Sequence, residues 1–66
     1  MLTVTLNGET RRTSAATVAE LVRELGLRPE KVAVERNGEI APRSQLAAVA
    51  LAEGDEFEIV HFVGGG

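Results

Sequence analysis

A chain of 66 residues holds one domain, and a domain of that size buries only about 60% of the surface its unfolded chain would expose, so its core is small. The hydrophobic fraction of 44%, drawn mostly from Val, Leu and Ala with two Phe and no Trp or Tyr, suits a compact fold, argues against disorder and leaves no aromatic platform for stacking bases. Seven basic against ten acidic residues, a net charge of −3, argue against a nucleic-acid partner, and the lack of cysteine excludes disulfides, thiolate metal sites and a Cys nucleophile.

Leu2, Val4 and Leu6 alternate with Thr3 and Thr5, the period of a half-buried strand. Asn7-Gly8 comes next. Both central positions of a type I′ turn need positive φ, which Asn-Gly tolerates best, so Glu9 to Thr13 is expected to return antiparallel, with Arg11 and Arg12 marking an edge strand. Thr17-Val18-Ala19-Glu20 fits a capping box: the Thr17 hydroxyl accepts from the amide three residues on and Glu20 reaches back. From there Val18, Leu21, Val22 and Leu25 form one apolar helical stripe, while Glu20, Arg23 and Glu24 face water. Gly26 is placed to end the helix in a left-handed conformation, with Leu27 folding back and Pro29 preventing resumption.

Val32 and Val34 open a third strand, and Asn37-Gly38 repeats the hairpin signal before Glu39 and Ile40. Pro42 keeps the next segment short or at an edge. Ser44 is a candidate cap for a brief helical segment in which Leu46, Val49 and Ala50 keep helical spacing. Glu53-Gly54-Asp55 reads as a tight turn, and Glu56 to Val63 as the last strand. There Phe57, Ile59, His61 and Val63 point one way and Glu56, Glu58, Val60 and Phe62 the other. With Phe57 and Ile59 on the core, Val60 and Phe62 stand on the outer face and make a docking patch.

Hairpins at each end, one main helix and a short second helical segment predict an α+β roll, the β-grasp: a mixed five-stranded sheet with the helix across one face, its first and last strands central and parallel. That pairing covers the helix stripe with Leu2, Val4, Leu6, Val32, Val34, Phe57 and Ile59. The domain is expected over residues 1–63, with 64–66 a flexible tail.

No side-chain constellation amounts to a catalytic or metal site. The carboxylates Glu53, Asp55, Glu56 and Glu58 read as a turn plus a solvated strand face, with an acidic contact surface as the alternative. His61 lacks a second ligand or nucleophile nearby. The run Gly64-Gly65-Gly66 is either simple fraying or a leash for a working carboxylate. Ionised at neutral pH, that carboxylate can attack the α-phosphate of ATP inside an enzyme that supplies metal and positive charge. Gly64 and Gly65, without a Cβ, pass a channel too narrow for side chains. From Val63 onward the chain extends roughly 13–14 Å, enough to reach a buried nucleotide while the domain docks outside.

The whole chain resembles the ThiS family of sulfur carriers, ubiquitin-like β-grasp proteins of thiamine biosynthesis. The resemblance rests on Asn37-Gly38-Glu39-Ile40-Ala41-Pro42-Arg43, on Gly54-Asp55 ahead of the last strand, on Leu6-Asn7-Gly8 and the Thr17–Leu21 helix start, and on the terminal glycines. At Leu46, where members often carry an aromatic residue, the chain departs from the pattern. The resemblance implies a carrier rather than an enzyme, with no bound cofactor and monomeric when free. A ThiF-like adenylyltransferase, using ATP, adenylates Gly66. A sulfur donor system converts the adenylate to a thiocarboxylate, which delivers sulfur to thiazole synthase. Alternatives are a molybdopterin-synthase small subunit, which typically runs longer, or a ubiquitin-like binding module with an inert tail. The N-terminus lacks the basic start and apolar run of a signal peptide, and the longest apolar run, Leu46 to Ala52, falls far short of the ~20 residues of a spanning helix. A cytoplasmic protein without a membrane partner is expected.

Overall fold

The computed structural model describes residues 1–62. The expected tail 64–66 and the final residue of the expected 1–63 domain lie outside the described residues. In chain order the elements are β1 (Leu2–Leu6), β2 (Glu9–Thr13), α1 (Val18–Glu24), a 3-10 turn at Pro29–Lys31, β3 (Val32–Arg36), β4 (Glu39–Ala41), a second 3-10 turn at Arg43–Gln45, and β5 (Glu56–His61). The sheet order is β2-β1-β5-β3-β4. β5 lies in the middle, parallel to β1 and antiparallel to β3, while β2 and β4 are the edges. This is the expected β-grasp.

Both Asn-Gly hairpins form with positive φ at both residues, 50° and 85° at Asn7-Gly8 and 53° and 85° at Asn37-Gly38, the geometry that matches strand twist. At the end of α1, Gly26 takes φ 81°. Its amide donates to the Arg23 carbonyl at 2.9 Å and the Leu27 amide to that of Val22 at 3.1 Å, a complete Schellman closure. Pro29 does more than block the helix: it opens the 3-10 turn that leads into β3.

At the start of α1 the Thr17 hydroxyl accepts from the Glu20 amide at 3.2 Å. The Glu20 carboxylate reaches one residue further back than a capping box requires, to the Ala16 amide at 3.0 Å. The next free helix amides are met from across the fold: Val18 N–H donates to the Val49 carbonyl at 3.0 Å and Ala19 N–H to that of Leu46 at 2.9 Å. The expected short second helical segment is present as a 3-10 turn, and what changes is its cap. Ser44 caps nothing; it lies inside a 3-10 turn that starts after Pro42. The turn does not grow into a helix because the Leu46 and Val49 carbonyls serve α1.

The core is a single cluster. Val18, Leu21 and Val22 of α1 are fully buried against Val4, Val32, Val34, Phe57 and Ile59, with Ala15, Ala19, Leu46 and Leu51 filling its margin. Leu2, Leu6 and Leu25 pack at its edge, partly buried. Thr13 is also buried, its hydroxyl donating to Glu24 Oε1 at 2.8 Å and accepting from the Ala15 amide at 3.0 Å.

Asp55 is the second correction, since it is buried and belongs neither to a solvated face nor to a contact surface. Its carboxylate accepts from Arg36 Nε at 3.0 Å, Asn37 Nδ2 at 3.1 Å and the Ala52 amide at 2.9 Å. Burial alone pushes the carboxyl up, but the bonds from Asn37, Ala52 and Arg36 outweigh it and hold the group below its ordinary value of 3.8. A depressed folded-state pKa contributes stability that is present above the unfolded pKa and lost as pH falls through the folded one. Asp55→Asn is therefore expected to be less stable than the parent at pH 7. The gap should narrow as pH is taken below about 4. Thermal melts of both proteins from pH 7 to pH 2 check this; a gap that stays constant refutes it.

Candidate functional site

The site is built outward from β5. Its odd positions, Phe57 and Ile59, enter the core, while Glu56, Glu58, Val60 and Phe62 stand on the face opposite α1. The expected face assignment holds: Val60 is 59% and Phe62 47% exposed, large for apolar side chains on a central strand. The regular strand ends at His61 rather than Val63. One further backbone bond, Phe62 N–H to the Lys31 carbonyl at 2.8 Å, keeps Phe62 against the start of β3. His61 is exposed.

Two asparagines hold this strand. Asn7 turns its amide onto the β5 backbone, Oδ1 accepting from the Ile59 N–H at 2.9 Å and Nδ2 donating to the Ile59 carbonyl at 3.2 Å. Asn37 holds the other end with Oδ1 alone, accepting from the Glu56 N–H at 2.9 Å, while its Nδ2 donates to Asp55 Oδ1. The β1–β5 ladder itself spans only Thr5–Glu56 and Leu6–Phe57, so the Asn7 amide carries that pairing on to Ile59, while Asn37 extends the β3–β5 side to Glu56. β5 is thus held on the β1 side as far as Ile59 and on the β3 side as far as Phe62.

The outer face extends further than Val60 and Phe62. Ala33 pairs with Val60, and Ile40 of β4, 69% exposed, lies opposite Glu35 of β3. Ala33, Val34, Glu35, Ile40, Glu58 and Val60 line a shallow groove of about 100 Å³. The Arg43 guanidinium sits 5.9 Å from the Phe62 ring centroid, within cation–π range. Sequence patterning on the last strand does not reach Ala33, Ile40 and Arg43. The signal lies in the register: with Val32 and Val34 inside, Ala33 and Glu35 must face out.

Among the described residues no group of three or more His, Cys, Asp or Glu side chains could hold a metal ion, and no helix is long and apolar enough to cross a membrane. The face offers adhesion and charge, with no nucleophile–base pair. Val60 and Phe62 are brought together there; Gly64, Gly65 and Gly66 lie outside the described residues.

The model of the ThiS family matches residues 4–66. The chain belongs to the ThiS family. It is 44% identical over 50 residues to the sulfur carrier protein ThiS of Bacillus subtilis, covering 76% of each chain. In the solved structures it is similar to the thiamine biosynthesis protein ThiS of Geobacter metallireducens, with a TM-score of 0.79 and 35% identity over 98% of this chain and all of that one. It is also 56% identical over 62 residues to a thiazole synthase of Paramagnetospirillum magneticum, where the match takes in 92% of this chain and only 19% of that protein. The chain thus spans about a fifth of the length of that relative.

Proposed function

We propose that this ThiS-family chain carries sulfur for thiazole formation in thiamine biosynthesis, on the carboxylate of Gly66. A ThiF-like adenylyltransferase binds the domain with ATP. The carboxylate oxygen attacks the α-phosphorus, pyrophosphate leaves, and an acyl adenylate remains. Hydrosulfide supplied by the donor system then attacks the acyl carbon, AMP departs, and one carboxylate oxygen has been exchanged for sulfur. The thiocarboxylate passes to a thiazole synthase, with Val60 and Phe62 as the grip and Gly64 and Gly65 as the slender lead into the active site.

The observation that supports this reading most is the reach of the family match, which runs through the final glycine. The sulfur carrier of Bacillus subtilis and the relationship to a thiazole synthase point the same way. The test is intact mass after incubation with ATP, a ThiF-like enzyme and a sulfur donor. The expected change is one oxygen-to-sulfur exchange per chain. An unchanged mass beside a demonstrably active enzyme refutes the proposal and favours an inert tail.

A further inference from the structure

Glu35 and Glu58 are direct cross-strand partners on β3 and β5. Both lie on the outer face, since their neighbours Val34, Phe57 and Ile59 fill the core. Opposed residues in such a pair have Cβ atoms on the order of 5 Å apart, and like charges there are destabilising. Among the described residues neither carboxylate has an ion-pair or hydrogen-bond partner: the basic groups in ion pairs, Arg11, Arg28 and Arg36, are engaged with Glu24, Glu30 and Asp55. The two carboxylates are flanked by apolar side chains, with Ile40 opposite Glu35 and Val60 two residues along β5 from Glu58, and they line the same groove. An unpaired double negative charge on an apolar floor is complementary to one kind of side chain, a cation on a long apolar stem.

We infer that the groove between Ile40 and Val60 receives an arginine or lysine from the thiazole synthase, its charge bridging Glu35 and Glu58 and its stem lying across the two apolar side chains. The inference rests on the reading of this face as the docking surface. Arginine suits the position best, because its planar fork offers donors to two carboxylates at once. The like-charge repulsion that the free domain carries is relieved on binding, so complex formation and folding respond to the pair with opposite sign.

The test is calorimetric titration of a thiazole synthase with the 66-residue chain and with its Glu35→Gln/Glu58→Gln variant, alongside thermal melts. The double variant is expected to bind about tenfold more weakly, the loss of one charged hydrogen-bonded contact. The difference should shrink at high salt. Its melting temperature is expected to rise by about 1–5 °C as the repulsion disappears. Ile40→Ala should weaken binding at unchanged melting temperature, since that side chain is exposed. Equal affinities, or a melting temperature that falls together with affinity, overturn the inference while leaving the docking reading in place. A synthase that fails to bind even the parent removes both. Concentration-dependent dimerisation of the parent that Ile40→Ala abolishes would assign the face to a second copy and overturn it too.

Discussion

Phe57→Ala is expected to lower the melting temperature by roughly 15–30 °C, whereas Phe62→Ala, five residues along the same strand, should shift it by only a few degrees. Phe57 is 1% exposed at the centre of the sheet, and Phe62 is 47% exposed on the outer face. Truncating a buried phenylalanine costs about 3–5 kcal/mol through lost transfer energy and the cavity left behind. A domain of this length has a total stability of only about 3–10 kcal/mol, so much of the Phe57→Ala population should be unfolded at physiological temperature. Phe62→Ala loses a partly exposed ring and its contact with Arg43, about 1 kcal/mol or less. Its effect should appear instead in partner affinity. Circular dichroism melts of both variants check the contrast. Comparable destabilisation by the two would mean that the faces of β5 are wrongly assigned.

Removing Gly65 and Gly66 is expected to abolish thiocarboxylate formation completely while leaving the melting temperature within a few degrees of the parent. Neither glycine has a side chain to contribute to a core, and among the described residues the hydrogen bonds that anchor β5 reach Phe62. Val63 would become the last residue but one, and its Cβ would approach the reacting centre where glycine does not. The measurement is intact mass after the sulfur-loading reaction, run beside a thermal melt. Residual sulfur incorporation at the parent rate would place the acceptor elsewhere in the chain.

The sheet was legible because its signals are local and mutually consistent. Two Asn-Gly turns set two hairpins, and Thr17 and Gly26 bracket one helix. The alternation of Val32 with Val34 and of Phe57 with Ile59 marks which face meets that helix. Less legible was what requires contacts between distant residues. Ser44 scores as a cap by type, yet the segment after it is shaped by two carbonyls, of Leu46 and Val49, that α1 needs far upstream in the chain. Asp55 sits in an acidic string that reads as surface, and only the approach of Arg36 and Asn37 from the β3–β4 hairpin makes it an interior clasp. Likewise Asn7 and Asn37 declare themselves as turn residues. Their second role, side-chain oxygens accepting from β5 amides, comes from the sheet order.

On the functional side, Val60 and Phe62 were visible as the point where polar alternation on the last strand fails. The rest of the face was hidden because it belongs to other strands: Ala33 and Glu35 come from β3, Ile40 from a short β4 and Arg43 from the turn after it. Register, rather than composition, assembles that face.

The most direct measurement is top-down fragmentation of the intact chain after reaction with ATP, a ThiF-like enzyme and a sulfur donor. The oxygen-to-sulfur exchange is expected in the smallest C-terminal fragment, on Gly66, with every N-terminal fragment unshifted. A shift carried by fragments that exclude Gly66, or a fully unmodified chain in the presence of active enzyme, would contradict a carrier that works through its terminal carboxylate.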